Sequence, residues 1–160
     1  MLSKTEIFDP DITVIIPCLN EEDTLGACLS KLETVVKNEN FTLEVIVADN
    51  GSQDKSIEIA SQFNARVVHV SRKGYGAALM GGIEQAKAPF VLMADADDSY
   101  DFLEVPKFFQ KTKEGFDLVQ GCRLPRGGGK IIKGAMPWSH RHIGNPLFTF
   151  WVRSWFNSPI

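Results

Sequence analysis

Three aspartates, Asp95, Asp97 and Asp98, crowd into four positions directly after the apolar run Phe90–Ala94. Like charges this close repel each other and are costly to bury unpaired, so the stretch is either a solvated turn or a site that holds a cation. Asp95 and Asp97 flank Ala96, and an extended chain points both carboxylates to the same side. Carboxylate oxygens suit Mg²⁺ or Mn²⁺. Because two are too few to hold the ion alone, we predict that Asp95 and Asp97 share it with diphosphate oxygens and water.

A further acidic side chain, Asp49, ends the apolar stretch Leu43–Ala48 and begins the turn "DNGSQD". A carboxylate at this position can accept a hydrogen bond from a ribose hydroxyl or from a base N–H. The alternative is a local turn in which the side chain bonds its own backbone, a role that Asp and Asn often take. We expect the turn role for Asn50 and Asp54 more than for Asp49.

The segment "RKGYGAAL", which begins at Arg72, places two cations and two glycines before a helical stretch. This pattern is typical of a loop that lies against a phosphate. It is not G-x-G-x-x-G, and the sequence contains no G-x-x-x-x-G-K-[ST], so a Rossmann dinucleotide site and a P-loop NTPase are both disfavoured. Gly81 and Gly82 in the stretch that follows indicate close helix packing.

A basic segment runs from Arg123 to Arg141 without any acidic residue, and Gly127–Gly129 loosen its middle. We predict a lid or a clamp on phosphate, with a solvated basic loop as the alternative. The residues that follow are densely aromatic and include Arg153, a composition that suits a membrane interface. A helix that covers the core or a dimer contact remains the alternative. The basic side chains are Arg123, Arg126, Lys130, Lys133, His140 and Arg141.

Predicted strands alternate with predicted helices, which indicates βαβ units and a mostly parallel sheet. Ligands bind such sheets beyond the carboxyl ends of the strands, and the polar motifs all fall there. His69, inside a strand, is expected to pack. The predicted strands span residues 12–17, 43–48, 66–70, 90–94 and 117–121. The predicted helices begin at Asn20 and at Ser52 or Asp54, and lie at 77–86 and 102–113, the last with Asp98 or Ser99 as a candidate cap.

The totals limit the classes of protein. A chain of 160 residues suits one domain, and a net charge of −3 disfavours nucleic acid as a partner. Three scattered cysteines predict small buried thiols in a reduced, intracellular protein. No signal peptide or spanning segment is predicted. The aromatic end is untypical of a domain terminus, so we expect the chain to be cut where a membrane-associated part begins.

The motifs "VIIPCLNEE", "VIVADNGSQD", "KGYGAAL", "ADADD" and "GCR" occur in the order found in family 2 glycosyltransferases, which the sequence resembles over about residues 12–125. The nearest likeness is to polyprenyl-phosphate and dolichyl-phosphate hexosyltransferases. The resemblance implies a GT-A fold, a Rossmann-like αβα sandwich. It also implies a nucleotide-sugar-binding core at residues 1–125 and an acceptor and membrane-proximal segment at 126–160.

The resemblance implies transfer of a hexose from a UDP-glucose or GDP-mannose type of donor to a polyprenyl phosphate, with Mg²⁺ or Mn²⁺, at the cytoplasmic face of a membrane. Asp97 is implied as the main metal ligand, with Asp95 facing the metal or the ribose. Asp98 is the candidate base if the acceptor is a hydroxyl. Arg123 is expected near a phosphate. The implied nucleotide contacts are Pro17, Asn20, Glu21, Asp49, Lys73 and Gly74, and the implied acceptor contacts are Arg126, Lys130 and Arg141.

Two alternatives stay open. A nucleotidyltransferase usually carries a glycine- and lysine-rich loop after its first strand, which "CLNEEDTLG" is not. A non-catalytic module that binds nucleotide or membrane is the other. A receiver-like domain is disfavoured because its acidic groups gather after strands one and three. The sequence also has Asn50 where the family commonly has a second aspartate, which leaves the role of that carboxylate absent or different.

Overall fold

The computed structural model describes residues 9–122 and 137–156, without the side chain of Arg141. The chain forms two compact units, Met1–Val119 and Gln120–Ile160. The predicted division after residue 125 falls outside the described residues. Arg123, Arg126 and Lys130 lie outside them as well.

Within the described part of the first unit, strands alternate with helices along the chain. The strands are β1 (Ile12–Cys18), β2 (Leu43–Asp49), β3 (Arg66–His69) and β4 (Phe90–Met93). The helices are α1 (Leu25–Asn38), α2 (Ser56–Gln62), α3 (Tyr75–Ile83) and α4 (Val105–Lys113), and a 3₁₀ turn at Phe102–Glu104 leads into α4.

The four strands form one parallel sheet in the order β3-β2-β1-β4. Cys18 pairs with Asp49, and Asp49 pairs with His69, so the ends of three strands lie side by side at one edge. The predicted parallel sheet is confirmed for these strands. The fifth predicted strand, at 117–121, is wrong: no strand forms there, since no other described strand pairs with this segment, and Leu118 is 82% exposed.

Helices cover both faces of the sheet, which makes the fold an αβα sandwich as predicted. On one face, α1, α2 and α4 bury residues such as Leu29, Ala60 and Phe109 in one cluster with the strand residues of that face. On the other face, α3 packs Ala78 against Ile15 and its neighbours. A Cβ added to Gly82 would lie 2.6 Å from Cγ2 of Ile15, so the predicted close packing of this helix is confirmed.

The helix starts differ from the predicted ones because local side chains take other roles. Helix α1 begins at Leu25 after Thr24, while Asn20 adopts a positive φ of 59° in the preceding loop. Helix α2 begins at Ser56. The turn before α4 is capped by Asp101, which accepts from the N–H of Leu103 at 3.1 Å, rather than by Asp98 or Ser99.

The cysteines are free, and two of them match the prediction. Cys18 and Cys28 are buried, and burial raises the pKa of both thiols. The prediction of a buried thiol is wrong for Cys122, which is exposed.

The described part of the second unit is a π-helical turn, His140–Gly144, that continues into α5 (Asn145–Phe156). No residue of α5 is buried. Trp151 and Trp155 stack with ring centroids 5.9 Å apart, and Phe148 meets Trp151 edge-on. Among the described residues, no helix is both long enough and apolar enough to cross a bilayer.

Candidate active site

A cleft of about 520 Å³ opens at the carboxyl ends of β1 and β4. Six of the nine predicted site residues whose side chains the structure describes line it: Pro17, Glu21, Lys73, Gly74, Asp95 and Asp97. Its other described lining residues are Cys18, Leu19, Asn50, Tyr75, Ala78 and Ala96. Three predicted residues, Asn20, Asp49 and Asp98, are not among the described residues that line the cleft.

The two predicted metal ligands reach the cleft because the alanines beside them are buried. Ala94 is 6% exposed and Ala96 is 2% exposed, and both belong to the core. The chain bends at residues 96–98, and with both alanines turned into the core, Asp95 and Asp97 lie on the wall of the cleft. Asp97 also accepts from the N–H of Ser99 at 2.9 Å, which closes the loop after it.

Tyr75, at the start of α3, contacts Asp95 across the cleft. Its hydroxyl donates to Oδ1 of Asp95 at 2.7 Å. This hydrogen bond, helped by burial and by the negative charge of Asp95, raises the pKa of Tyr75 to about 12. The phenol therefore keeps its proton at neutral pH and acts as a hydrogen-bond donor to Asp95.

Asp98 points away from the residues that line the cleft and toward α1. Its backbone is left-handed, with φ 56°, and its Oδ1 accepts from Nζ of Lys31 at 2.7 Å. A general base needs an accessible lone pair near the proton that it removes. An ion pair on the far side of the loop does not supply this.

Asp49 is used by its own turn. It is 3% exposed, and its oxygens accept from the N–H groups of Gly51 at 3.1 Å and Ser52 at 2.9 Å. Nδ1 of His69 lies 3.2 Å from Oδ2. Burial raises the pKa of Asp49, but the hydrogen bonds from Ser52, His69 and Gly51 outweigh burial and hold it below the usual value. Asp49 thus takes the turn role, contrary to our expectation.

His69 is also placed differently from the prediction. Its side chain is 68% exposed, so it does not pack into the core. The register that pairs Asp49 with His69 brings the imidazole beside the carboxylate instead.

Asn50 ties the loop after β3, residues 70–74, to the end of β2. Its Nδ2 donates to the carbonyls of Val70 at 2.9 Å and Arg72 at 2.8 Å, and its Oδ1 accepts from the N–H of Gly74 at 2.8 Å. Nζ of Lys73 donates to the Asn50 carbonyl at 2.6 Å. A carboxylate at this position could not donate to two carbonyls, which gives a physical reason for the amide.

Asn20 acts one layer behind the cleft. Its N–H donates to Oγ of Ser52 at 3.0 Å, and its side-chain oxygen accepts from the N–H of Gln53 at 2.8 Å. Beside it, the N–H of Glu21 donates to Oγ of Ser56 at 2.9 Å. These bonds join the loop after β1 to the loop after β2 and fix the wall that carries Pro17 and Glu21.

Sequence reasoning missed Asn50 and Tyr75 as site residues. Both stand inside motifs that were recognised, "ADNGSQD" and "KGYGAAL". The sequence does not show that Tyr75 and Asp95 are neighbours, because they meet through the packing of α3 beside β1.

The donor set suits a hard cation with additional ligands. No group of three or more His, Cys, Asp or Glu side chains that could hold a metal occurs among the residues described. Asp95 and Asp97 supply oxygen donors on one wall of the cleft, which fits an ion that takes its other ligands from a bound diphosphate and water. Arg141 lies in the π-helical turn, and its side chain is outside the described set.

Comparison with known proteins places this fold and cleft. The family described as Glycosyl transferase family 2 matches residues 13–153. The low-salt glycan biosynthesis hexosyltransferase of Haloferax volcanii is 34% identical over 161 residues, which cover 100% of this chain and 38% of that protein. The dolichyl-phosphate hexose transferase of the same organism is 32% identical over 123 residues, with 77% and 52% covered.

One solved structure is glucosyl-3-phosphoglycerate synthase from Mycobacterium tuberculosis in complex with Mn²⁺, UDP and glucosyl-3-phosphoglycerate. It aligns with a TM-score of 0.56 and 27% identity over 64% of this chain and 39% of that chain.

The parallel sheet, the helices on both faces and these neighbours define a glycosyltransferase domain of the GT-A fold. The chain belongs to glycosyl transferase family 2. It spans 38% of the first relative's length and 52% of the second's.

Proposed function

We propose that this chain is the donor-binding part of a metal-dependent hexosyltransferase that moves a sugar from a nucleoside diphosphate to a polyprenyl phosphate. The observation that carries the proposal is the placement of Asp95 and Asp97 on one cleft with the loop Lys73–Tyr75. Carboxylates for a cation and a lysine for phosphate are the groups that a nucleoside diphosphate requires.

The cleft offers separate surfaces for the parts of the donor. Pro17, Leu19 and Ala78 give apolar contacts for a nucleoside, and a volume of about 520 Å³ suits a ligand of that size. Lys73 and the backbone of Gly74 offer positive charge and an open approach for phosphate, since a Cβ on Gly74 would meet nothing within 4 Å. Asp49 is omitted from the donor contacts, because its oxygens serve its own turn.

Departure of the nucleoside diphosphate develops negative charge on its terminal oxygens. A divalent cation bound at Asp95 and Asp97 would supply Lewis-acid stabilisation of that charge. The role of the two carboxylates is to hold and orient the cation. Tyr75 fixes the orientation of Asp95 and keeps its own proton while doing so.

A lipid phosphate is the acceptor that fits the described side chains best. A phosphate oxygen is already an anion and needs no strong base, whereas a hydroxyl acceptor needs one. Asp98, the candidate base, is paired with Lys31 and is not among the described residues lining the cleft. The names of the relatives, a dolichyl-phosphate hexose transferase among them, support the same acceptor class. Arg123, Arg126, Lys130 and Arg141 remain proposed phosphate contacts.

We further propose that α5 lies at a membrane surface, where such an acceptor is found. Its exposed aromatic residues include Phe150 at 65% and Trp155 at 73%, and Arg153 stands among them. Aromatic and arginine side chains favour the lipid interface. The double variant Trp151→Ser with Trp155→Ser should lose flotation with anionic vesicles and keep nucleotide binding. If this variant unfolds, the two tryptophans are core residues and the membrane assignment fails.

Calorimetry tests the donor and the metal. UDP, GDP and ADP are titrated into the wild type and into Asp97→Ala, with Mn²⁺ and with a chelator. We expect tight binding of UDP or GDP that requires Mn²⁺ and is lost in the variant. If none of these nucleotides binds to folded wild-type protein, the proposal is wrong, and a non-catalytic module is favoured.

A further inference from the structure

We propose that Lys31, on α1, is a positioning residue that holds the acidic loop Asp95–Asp98 in the shape that presents Asp95 and Asp97 to the cation. The inference deepens the proposed function and rests on it. Lys31 is not among the described residues that line the cleft, and it belongs to none of the sequence motifs. It contacts the loop because α1 packs along β1 and the segment after β4.

The contact between Lys31 and Asp98 is direct. Nζ of Lys31 donates to Oδ1 of Asp98 at 2.7 Å across 67 positions of sequence. Both side chains are about one third exposed, at 32% and 35%. An ion pair at such exposure adds little to the free energy of unfolding. Its effect is therefore expected in the local conformation of the loop and not in global stability.

The backbone of Asp98 is the reason that the loop needs a brace. A φ of 56° is left-handed, a conformation that residues with a Cβ adopt rarely and at some cost. Asp98 also follows Asp97 directly, and Asp101 comes three positions later, so its charge is repelled by its neighbours. Lys31 offsets that repulsion and fixes Asp98 on the side away from the cleft.

A second contact from the same helix face supports the brace. Cys28 stands one helical turn before Lys31, and its thiol donates to the carbonyl of Ala96 at 3.4 Å. Cys28, Ala96 and Phe102 belong to one buried cluster. Helix α1 thus holds the loop on both sides of Asp97, through Ala96 before it and through Asp98 after it.

Loss of the brace should change how tightly the metal is held. Residues that orient metal ligands from behind typically change metal affinity by roughly 10–100-fold when removed. With Lys31→Met, we expect roughly a tenfold rise in the Mn²⁺ concentration required for UDP or GDP binding. The weak residual binding of nucleotide in the presence of a chelator should stay unchanged, since the described contact of Lys31 is with the acidic loop and not with the nucleotide cleft.

The experiment uses the full chain and three variants. Lys31→Met removes the positive charge, and Lys31→Arg keeps it. Lys37→Met is the matched control, because Lys37 lies on the same helix and pairs with Glu33 at 3.1 Å, away from the acidic loop. Mn²⁺ is titrated at saturating nucleotide by calorimetry. Backbone hydrogen exchange of residues 95–99 is measured in the metal-free protein.

We expect weaker Mn²⁺ binding and faster exchange at 95–99 in Lys31→Met alone, with the Mn²⁺ requirement of Lys31→Arg within about twofold of that of the wild type. Unchanged exchange and an unchanged Mn²⁺ requirement in Lys31→Met would overturn the inference. Tighter Mn²⁺ binding would overturn it too, since it would mean that Asp98 is freed to ligate. If the wild type binds no nucleotide, the proposed function fails, and hydrogen exchange still decides whether Lys31 orders the loop.

Discussion

Two strand ends at the same edge of the sheet carry aspartates that do different work. Asp49 ends β2 and is 3% exposed, and both of its oxygens are engaged within the protein. Asp95 and Asp97 follow β4 and stand on the wall of an open cleft. The residue type, the preceding apolar strand and the edge of the sheet are shared.

The difference lies in where the local hydrogen-bond donors are. Gly51 turns the chain with φ 97° and directs its own N–H and that of Ser52 at Asp49. After β4, Ala96 is buried, and the hydrogen bond described for Asp95 comes from the hydroxyl of Tyr75 on α3 and not from its own turn. A carboxylate that is buried and engaged by its own turn holds a loop, whereas one on the wall of an open cleft can bind a ligand.

Asp97→Asn tests the role of the cleft aspartates in this comparison and has the largest expected effect. Sugar transfer from the preferred donor should fall by about 100-fold or more, because a metal ligand is lost. The free energy of unfolding should stay within about 0.5 kcal/mol of the wild type, since the side chain is exposed. Initial rates and urea unfolding measure the two quantities. The control is Asp117→Asn, an exposed aspartate away from the cleft; equal rates in both variants would contradict the assignment.

Asp49→Ala tests the role of Asp49 in holding its turn. It leaves the N–H groups of Gly51 and Ser52 without their acceptor in a buried turn, which should lower the free energy of unfolding by about 2 kcal/mol. Asp49→Asn keeps one oxygen acceptor and should lose about half as much. Urea unfolding at neutral pH gives the values. If Asp49→Ala keeps wild-type stability and loses only donor binding, Asp49 is a ligand contact after all.

Glu44, a buried carboxylate near the opposite edge, sharpens the comparison through pH. Burial raises its pKa, but hydrogen bonds from Thr13, the N–H of Lys87 and Arg66 lower it below the usual 4.5. A lowered pKa gives stability that is present above the unfolded value and is lost as pH falls from there through the folded value. Between about pH 6 and pH 3, the wild type should lose about 1 kcal/mol more than Glu44→Gln, in line with the strength of hydrogen bonds to a charged group. Parallel curves from urea unfolding at each pH would refute this.

Tyr75→Phe should have the smallest effect. The ring stays, and only the donor to Asp95 at 2.7 Å is removed. The KM for the donor should rise by about threefold, which corresponds to one modest hydrogen bond. Steady-state kinetics with Tyr75→Phe and Tyr75→Ala separates the hydroxyl from the ring. If Tyr75→Phe and Tyr75→Ala lower activity equally, then the hydroxyl accounts for the whole effect, and the aromatic ring that lines the cleft does not contribute.

Much of the fold could be predicted from sequence because apolar strands and their polar ends are local patterns. The runs that become β1 to β4 are continuous and bounded by turn residues, and Asp95-Ala96-Asp97 shows its alternation directly. The run at 117–121 looked the same, yet it pairs with no other described strand, and Leu118 stays 82% exposed. Local pattern cannot report whether a partner is present.

The roles of individual polar residues were harder to predict, because they depend on contacts between distant segments. Asp98 meets Lys31 from another element, and Asn50 meets Gly74 from the loop after β3. His69 looked like a packing residue because its strand is apolar, but the short β3 lies at the edge of the sheet. Each role follows from the sheet order, which the sequence does not state.

The amide of Asn50 has a further consequence for the lifetime of the protein. Asn50 precedes Gly51, and in a flexible chain an Asn-Gly pair deamidates readily when the glycine nitrogen attacks the asparagine side chain. Here Asn50 is 4% exposed and held by Val70, Arg72 and Gly74, while the Gly51 N–H is directed at Asp49. The fold therefore slows deamidation of Asn50. Local opening of the edge would let the residue become an aspartate, which cannot hold the same loop.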